Sequence, residues 1–205
     1  MKRDIQLHVK RIIDVLWSLY GLVVCIPVFA AAALVVKLDS EGPAFFALNA
    51  AGMGGCSFRQ WKFRTMVNGA RENGDRFETS AYDPRITRVG RFLRRWSIDE
   101  LPQLWNVLRG DMSLVGPRPT FLEVAAKYSP EQSRRLAMRP GITGLAQVSG
   151  RNALSWEERI PLDIYYVEHS SLAMDLRILA LTVPALFRGS EVYGKDGRVR
   201  LPDLG

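Results

Sequence analysis

Uncharged residues run without a break from Val15 to Val36, VLWSLYGLVVCIPVFAAAALVV. A helix crosses a bilayer with about 20 apolar residues, and this stretch has that length. It is too long for the apolar core of a cleavable signal peptide, and no clear small-x-small site precedes Lys37. Lys2, Arg3, Lys10 and Arg11 stand before it and Lys37 after it. Basic flanks favour the cytoplasmic side. Where both ends obey that rule, the segment enters and returns on one face. Pro27, near the middle, removes a helical hydrogen bond and predicts a bend. An ordinary spanning helix with a tolerated proline fits the same pattern, and the pattern leaves both open.

Beyond this run the chain is mixed. Phe58 to Met66, FRQWKFRTM, alternates well enough to predict a short strand. Asn68 to Ser80 is polar and reads as loop or a mobile helix. From Asp83 to Trp96, Val89, Phe92, Leu93 and Trp96 recur at helical spacing, while Arg88, Arg91 and Arg95 line another face. Such a basic amphipathic helix suits an anionic membrane surface or, more plainly, a solvated face of a soluble domain. Ser171 to Phe187 is apolar almost all round, broken by Asp175 and Arg177. It predicts a second interfacial helix or a buried core helix.

Charge and composition narrow this picture only slightly. The 205 residues suffice for one domain of moderate size with a membrane element attached. The net charge of +7 suits nucleic acid, anionic lipid or anionic small substrates without choosing among them. The two cysteines, Cys25 and Cys56, read as free thiols of a cytosol-facing protein. His8 and His169 lack metal-ligand spacing, which speaks against zinc. No Walker A loop, GxGxxG fingerprint or GxSxG elbow occurs.

The chemistry concentrates between Ser97 and Pro119, SIDELPQLWNVLRGDMSLVGPRP. Asp99 and Glu100 stand at the head of a helix-like segment that ends near Gly110. Ser97 with Glu100 fits a capping box; alternatively Asp99 is the N-cap, with Pro102 in the first turn. Either placement puts the carboxylates at the positive end of a helix. Capping alone would explain an isolated SxDE. Here a rigid Pro117-Arg118-Pro119 turn follows, Lys62 and Arg64 lie in the expected strand, and an acidic-aromatic cluster LDIYYV spans Leu162 to Val167. A nucleophile, a metal ligand and a fixed guanidinium are the parts needed to handle a phosphate.

Four segments in order resemble the small monotopic phosphoglycosyl transferases of the bacterial sugar transferase family: KFRTM (62–66), DPRITRVGRFLRRWSIDELPQLWNVLRGDMSLVGPRP (83–119), RPGITGLAQVSGRN (139–152) and LDIYYVEHSSLAMDLRIL (162–179). With the apolar N-terminal run they cover nearly the whole chain, and the chain resembles the minimal catalytic form. The resemblance implies an α+β, predominantly helical fold. It places a re-entrant membrane helix-hairpin at residues 1–40 and a catalytic domain with membrane-surface amphipathic helices and a small strand element at residues 41–205. It implies transfer of a phosphosugar from a UDP-sugar to polyprenyl (undecaprenyl) phosphate, with release of UMP, through a covalent aspartyl phosphosugar. The family's nucleophile falls on Asp99 and its Mg²⁺-binding glutamate on Glu100. Its phosphate-binding positions fall on Arg118, Lys62, Asp163, Arg151 and Arg94, with Arg95 the alternative to the last.

The implied setting is the cytoplasmic face of a bacterial inner membrane, at the start of glycan assembly. Expected partners are the UDP-sugar, the polyprenyl phosphate and the inner leaflet. No nucleic acid is expected, and a homodimer is allowed. Two departures from the family pattern stand out. Ile26-Pro27 replaces a Ser-Pro at the bend, and Leu48 and Ala50 replace the Gln and Arg of a Q-x-R-x-G loop. An aspartate at its ordinary pKa of about 4 is ionised at neutral pH and needs no general base. Two rivals remain: a membrane-anchored binder of anionic ligands using the Arg88–Arg95 face, and a non-catalytic scaffold.

Overall fold

The computed structural model describes residues 2–70, 83–150 and 154–187. The apolar run becomes two helices, α1 (Lys2–Val24) and α2 (Ile26–Asp39), bent by 60° at Cys25. Hydrogen bonds from Cys25 N–H to the Gly21 carbonyl and from Phe29 N–H to the Cys25 carbonyl keep the chain helical around the break. Pro27 sits in the first turn of α2, where a missing N–H costs least. The bend therefore falls just before the proline. Among the described residues no single helix is long and apolar enough to cross a membrane, whereas the bent pair together is, by length and composition. Its outer surface exposes Leu16, Trp17, Tyr20, Val23, Ile26 and Leu34, each more than half accessible. A contiguous apolar surface of this kind calls for a covering phase or partner.

The rest is helical with two small sheets. Strands β1 (Phe45–Ala51) and β2 (Ser57–Phe63) form an antiparallel hairpin, and β1 pairs on its other side with β4 (Thr120–Phe121). A parallel pair joins β3 (Ser113–Val115) to β5 (Gly141–Thr143). Helices α3 (Arg88–Arg95) and α4 (Gln103–Arg109) follow the hairpin. Helices α5 (Leu122–Ala125), α6 (Pro130–Ser133), α7 (Leu145–Ser149), α8 (Trp156–His169) and α9 (Leu172–Phe187) complete the order. The expected strand at 58–66 is thus β2, ending at Phe63, with Met66 making only an isolated bridge to Ile86. The polar stretch 68–80 lies outside the described residues from position 71 onward.

Three apolar clusters hold these pieces. Ala32, Val36, Ala44, Phe63 and Leu93 join α2, β2 and α3. Ala50, Phe58, Val107 and Met112 join the hairpin to α4. Val115, Met138, Leu145, Tyr166, Val167 and Ile178 join β3 to α7, α8 and α9. The basic helix expected from Asp83 is shorter, because Thr87 caps it by accepting from Gly90 N–H. Leu93 faces the core, while Arg88, Arg91, Phe92, Arg95 and Trp96 are exposed together. Helix α9 combines both expected characters: Ile178 and Asp175 are buried, Leu176 and Val183 exposed.

Polar clamps fix the helix pair to this core. Lys10 of α1 donates to the Val115 carbonyl at 2.9 Å and pairs with Asp175 at 2.7 Å. Arg11 donates to the Val107 and Leu108 carbonyls at 2.6 and 2.8 Å, capping the end of α4. Arg64, just past β2, does the same for α2 by donating to the carbonyls of Val36, Ser40 and Glu41.

Candidate active site

Asp99 and Glu100 lie on a single 3-10 turn, Ile98–Glu100, that leads into α4. Both capping expectations are corrected here. Ser97 adopts a left-handed conformation (φ 54°) and its side chain caps nothing, so no capping box forms. Asp99 is not the N-cap either, since α4 begins four residues later, after Pro102. The SxxE pattern matched, but the backbone at Ser97 turns the wrong way for it. What holds Glu100 is charge: its Oε1 accepts from Lys62 Nζ at 2.7 Å and from Arg118 Nη2 at 3.3 Å. Lys62 reaches it from β2, and Arg118 reaches it from the Pro117–Pro119 turn after β3. Three segments separated in sequence therefore meet at one carboxylate.

Burial alone would raise the Glu100 pKa, but Lys62 and Arg118 outweigh it and hold the group at about 2. Asp99 goes the other way. Only 8% exposed, it is pushed up by burial and then by the neighbouring Glu100 charge, while Lys62, Arg94 and Arg118 pull it down. Asp99 is therefore not the ordinary solvated carboxylate that sequence alone implies. Arg94 faces the pair from α3, held by a 2.9 Å bond from its Nε to Thr65 Oγ1. Arg95, the alternative, is exposed on the outer surface. Gly90 allows this approach: a Cβ there would lie 2.1 Å from the Thr65 carbonyl oxygen.

The other expected site residues divide. Asp163 takes its ion-pair partner from a different segment than Glu100 does. It is fully buried on α8 and ion-paired with Arg135, and burial raises its pKa against the pull of that arginine. Arg135 in turn donates from Nη2 to the Arg118 carbonyl at 2.8 Å, so Asp163 stands behind the proline turn. Arg151 lies outside the described residues.

Sequence reasoning missed Arg135 and also Asn106. From α4, Asn106 accepts from Trp61 N–H at 3.0 Å and donates to the Arg59 carbonyl at 2.8 Å and to Asp111 at 3.1 Å. In effect it extends the sheet at the open edge of β2, one residue before Lys62. Nothing in the local pattern marks either residue, because Trp61 and Arg59 for Asn106, and Asp163 for Arg135, are distant in sequence.

Among the described residues no three His, Cys, Asp or Glu side chains converge as a metal cage. Magnesium rarely requires one, since it takes one or two carboxylates and completes its shell with substrate phosphates and water. Glu100 fits that role: it is ionised, beside Asp99, and both of its cationic contacts fall on Oε1. As it stands, the arrangement offers three cations, Lys62, Arg118 and Arg94, around one ionised and one buried carboxylate. Such a set can receive a multiply charged phosphate.

Comparison with known proteins gives the family of the chain. The chain is 42% identical over 174 residues to the uncharacterized sugar transferase EpsL of Bacillus subtilis, covering 85% of each chain. It is 46% identical over 193 residues to the UDP-glucose:undecaprenyl-phosphate glucose-1-phosphate transferase of Caulobacter vibrioides, covering 90% of this chain and 72% of that one. It is 40% identical over 198 residues to the galactosyl transferase CpsE of Streptococcus agalactiae, covering 90% of this chain but only 43% of that longer protein. The model of the family described as bacterial sugar transferase matches residues 5–189, which include every described side chain of the site, and the chain belongs to that family.

Proposed function

We propose that the protein transfers a phosphosugar from a UDP-sugar to a polyprenyl phosphate such as undecaprenyl phosphate. The observation that carries this reading is the meeting of Lys62 and Arg118 on Glu100, beside the buried Asp99. The names of the relatives supply the substrate class: the Caulobacter relative is named for UDP-glucose and undecaprenyl phosphate.

In the proposed reaction an Asp99 carboxylate oxygen attacks the phosphorus next to the sugar. The bond from that phosphorus to the bridging oxygen breaks, and UMP leaves with the electron pair. The aspartyl phosphosugar is then attacked by a phosphate oxygen of the polyprenyl phosphate. The Asp99–phosphorus bond breaks and the carboxylate returns. The acceptor is already anionic at neutral pH and needs little help from a base. Arg118, with its planar fork, holds phosphate oxygens in a way lysine cannot reproduce. Lys62 and Arg94 offset the charge that accumulates as two anions approach. Mg²⁺, held by Glu100 and the donor's own oxygens, would neutralise charge on the diphosphate. A covalent route also lets a water-soluble donor and a bilayer-borne acceptor bind in turn. The bent pair α1–α2 and the exposed Phe92 and Trp96 beside Arg88, Arg91 and Arg95 support a monotopic placement on an anionic leaflet.

The test uses purified protein, labelled UMP and a panel of UDP-sugars without any lipid acceptor. The covalent route expects label to exchange into one of the UDP-sugars. It also expects a protein adduct heavier by one phosphosugar that is absent in Asp99→Asn. Exchange that strictly requires polyprenyl phosphate, with no adduct, overturns the role of Asp99. No UMP release with any donor and undecaprenyl phosphate overturns the transferase reading itself.

A further inference from the structure

The turn that carries Arg118 has two consecutive carbonyls in fixed bonds. Gly141 N–H donates to the Pro117 carbonyl at 2.9 Å, a backbone contact across the β3–β5 pair. The next carbonyl, that of Arg118 itself, accepts from Arg135 Nη2 at 2.8 Å. Pro117 and Pro119 have restricted φ angles, so the Arg118 backbone has few ways to move once these bonds are made. That backbone fixes where the Arg118 Cβ points, and from there the side chain reaches Glu100 Oε1 at 3.3 Å.

Arg135 is enclosed in this position, with both terminal nitrogens bonded. It is 1% exposed, and its charge is matched by Asp163 on α8, which is equally enclosed. Its Nη1 donates to the Tyr128 hydroxyl at 2.6 Å. Its guanidinium lies 5.7 Å from the ring centres of both Tyr128 and Trp156. A buried ion pair is weak as a source of stability, because desolvation consumes most of the attraction, and apolar replacements often serve as well. The geometry of the fork, by contrast, serves a purpose: one planar group reaches a carboxylate, a hydroxyl and a backbone carbonyl together.

We infer that Arg135, oriented by Asp163 and Tyr128, is a positioning residue that sets the aim of Arg118 at the donor's phosphates. This rests on the phosphate-gripping role proposed for Arg118, and it adds a function for the buried LDIYYV aspartate that is not direct substrate contact. Lysine at position 135 keeps the charge beside Asp163 but cannot make the three contacts at once.

The test is a double-mutant cycle on Arg118→Lys and Arg135→Lys, read in two ways: UDP affinity by calorimetry and donor kcat/KM in the lipid-coupled assay. Thermal unfolding of each variant runs alongside. The expected result for Arg135→Lys is a well-folded protein whose UDP affinity and kcat/KM fall at least tenfold. Adding it to Arg118→Lys should cost less than twofold more, because the aim of a side chain already replaced no longer matters. A purely structural Arg135 predicts losses that multiply, and that outcome overturns the inference. So does UDP binding that is indifferent to Arg118→Lys. If Arg135→Lys does not fold, Tyr128→Phe removes only the hydroxyl and enters the same cycle, with a smaller loss and the same non-additivity expected. Arg118-dependent UDP binding without transfer would sink the proposed function and leave the positioning role standing.

Discussion

Replacing Glu100 by glutamine is the most informative single change. Read from sequence as a carboxylate at a helix start, Glu100 would contribute at most about 1 kcal/mol. The structure gives it a larger share, since it holds Lys62 at 2.7 Å and Arg118 at 3.3 Å. Its pKa falls from the ordinary 4.5 to about 2. That difference corresponds to a ceiling of about 3 kcal/mol of folded-state stabilisation at neutral pH. Two features reduce it. Glutamine keeps an acceptor oxygen, and the Lys62 and Arg118 side chains retain 18% and 34% exposure, so water relaxes their stranded charges. The expected loss is about 1–3 kcal/mol at pH 7, short of unfolding the protein.

The sign of the pH dependence is fixed. A depressed carboxylate stabilises the fold above its unfolded pKa and stops doing so as pH falls through its folded one. In metal-free buffer with EDTA, the gap between wild type and Glu100→Gln should therefore be full at pH 7 and shrink between about pH 4.5 and 2. Urea unfolding of detergent-solubilised protein at pH 7 and at pH 3 measures it. A gap equal at both pH values, or none at pH 7, would refute the electrostatic account. Turnover should vanish in the same variant under conditions where most of it remains folded.

Three further outcomes are expected. Wild-type activity should disappear with EDTA and return with Mg²⁺, and a metal-independent wild type removes Glu100 from its proposed role as ligand. Single cysteines at Arg3→Cys and Glu41→Cys, in a background lacking Cys25 and Cys56, should both resist external labelling in intact cells. Labelling of either one excludes the hairpin placement. Gly90→Ala should lower thermal stability by roughly 1–3 kcal/mol despite alanine's better helix propensity, because its Cβ would press 2.1 Å from the Thr65 carbonyl oxygen. An unchanged unfolding midpoint would mean that α3 does not pack on Thr65 as described.

The parts of the site legible in sequence were those written as short, continuous motifs. Asp99-Glu100, the Arg118 turn and the strand lysine could each be found locally, and the structure brings all three together. The bend was legible because proline acts within its own turn. Two kinds of information were not. Strand β1 has no alternation to reveal it: its residues pass from exposed Phe45 to buried Ala50 and Ala51, where β4 joins on the side opposite β2. And the supports work across long separations, 17 residues from Arg118 to Arg135, 45 from Trp61 to Asn106, 96 from Arg11 to Val107. The Ser97 misassignment has a different cause. The side-chain pattern for a cap was present, but a single left-handed residue redirected the turn.

The position of Lys62 gives those long-range supports a common purpose. Two residues after it, Arg64 closes the carbonyl end of α2, and Asp39 at that end accepts from Val89 N–H in α3. One residue before it, the Trp61 backbone is pinned by Asn106 from α4. On the far side Arg11 ties α1 to the end of the same α4. The bent helix pair, α3 and α4 thus all converge on the few residues that aim Lys62 at Glu100. On the proposed membrane placement, this fixes the height of the carboxylates above the bilayer surface. The height matters because an acceptor phosphate on a lipid can rise only as far as its headgroup region allows. A site hung on flexible loops would have to find that height anew at each turnover, whereas here the same contacts that stabilise the fold also hold it.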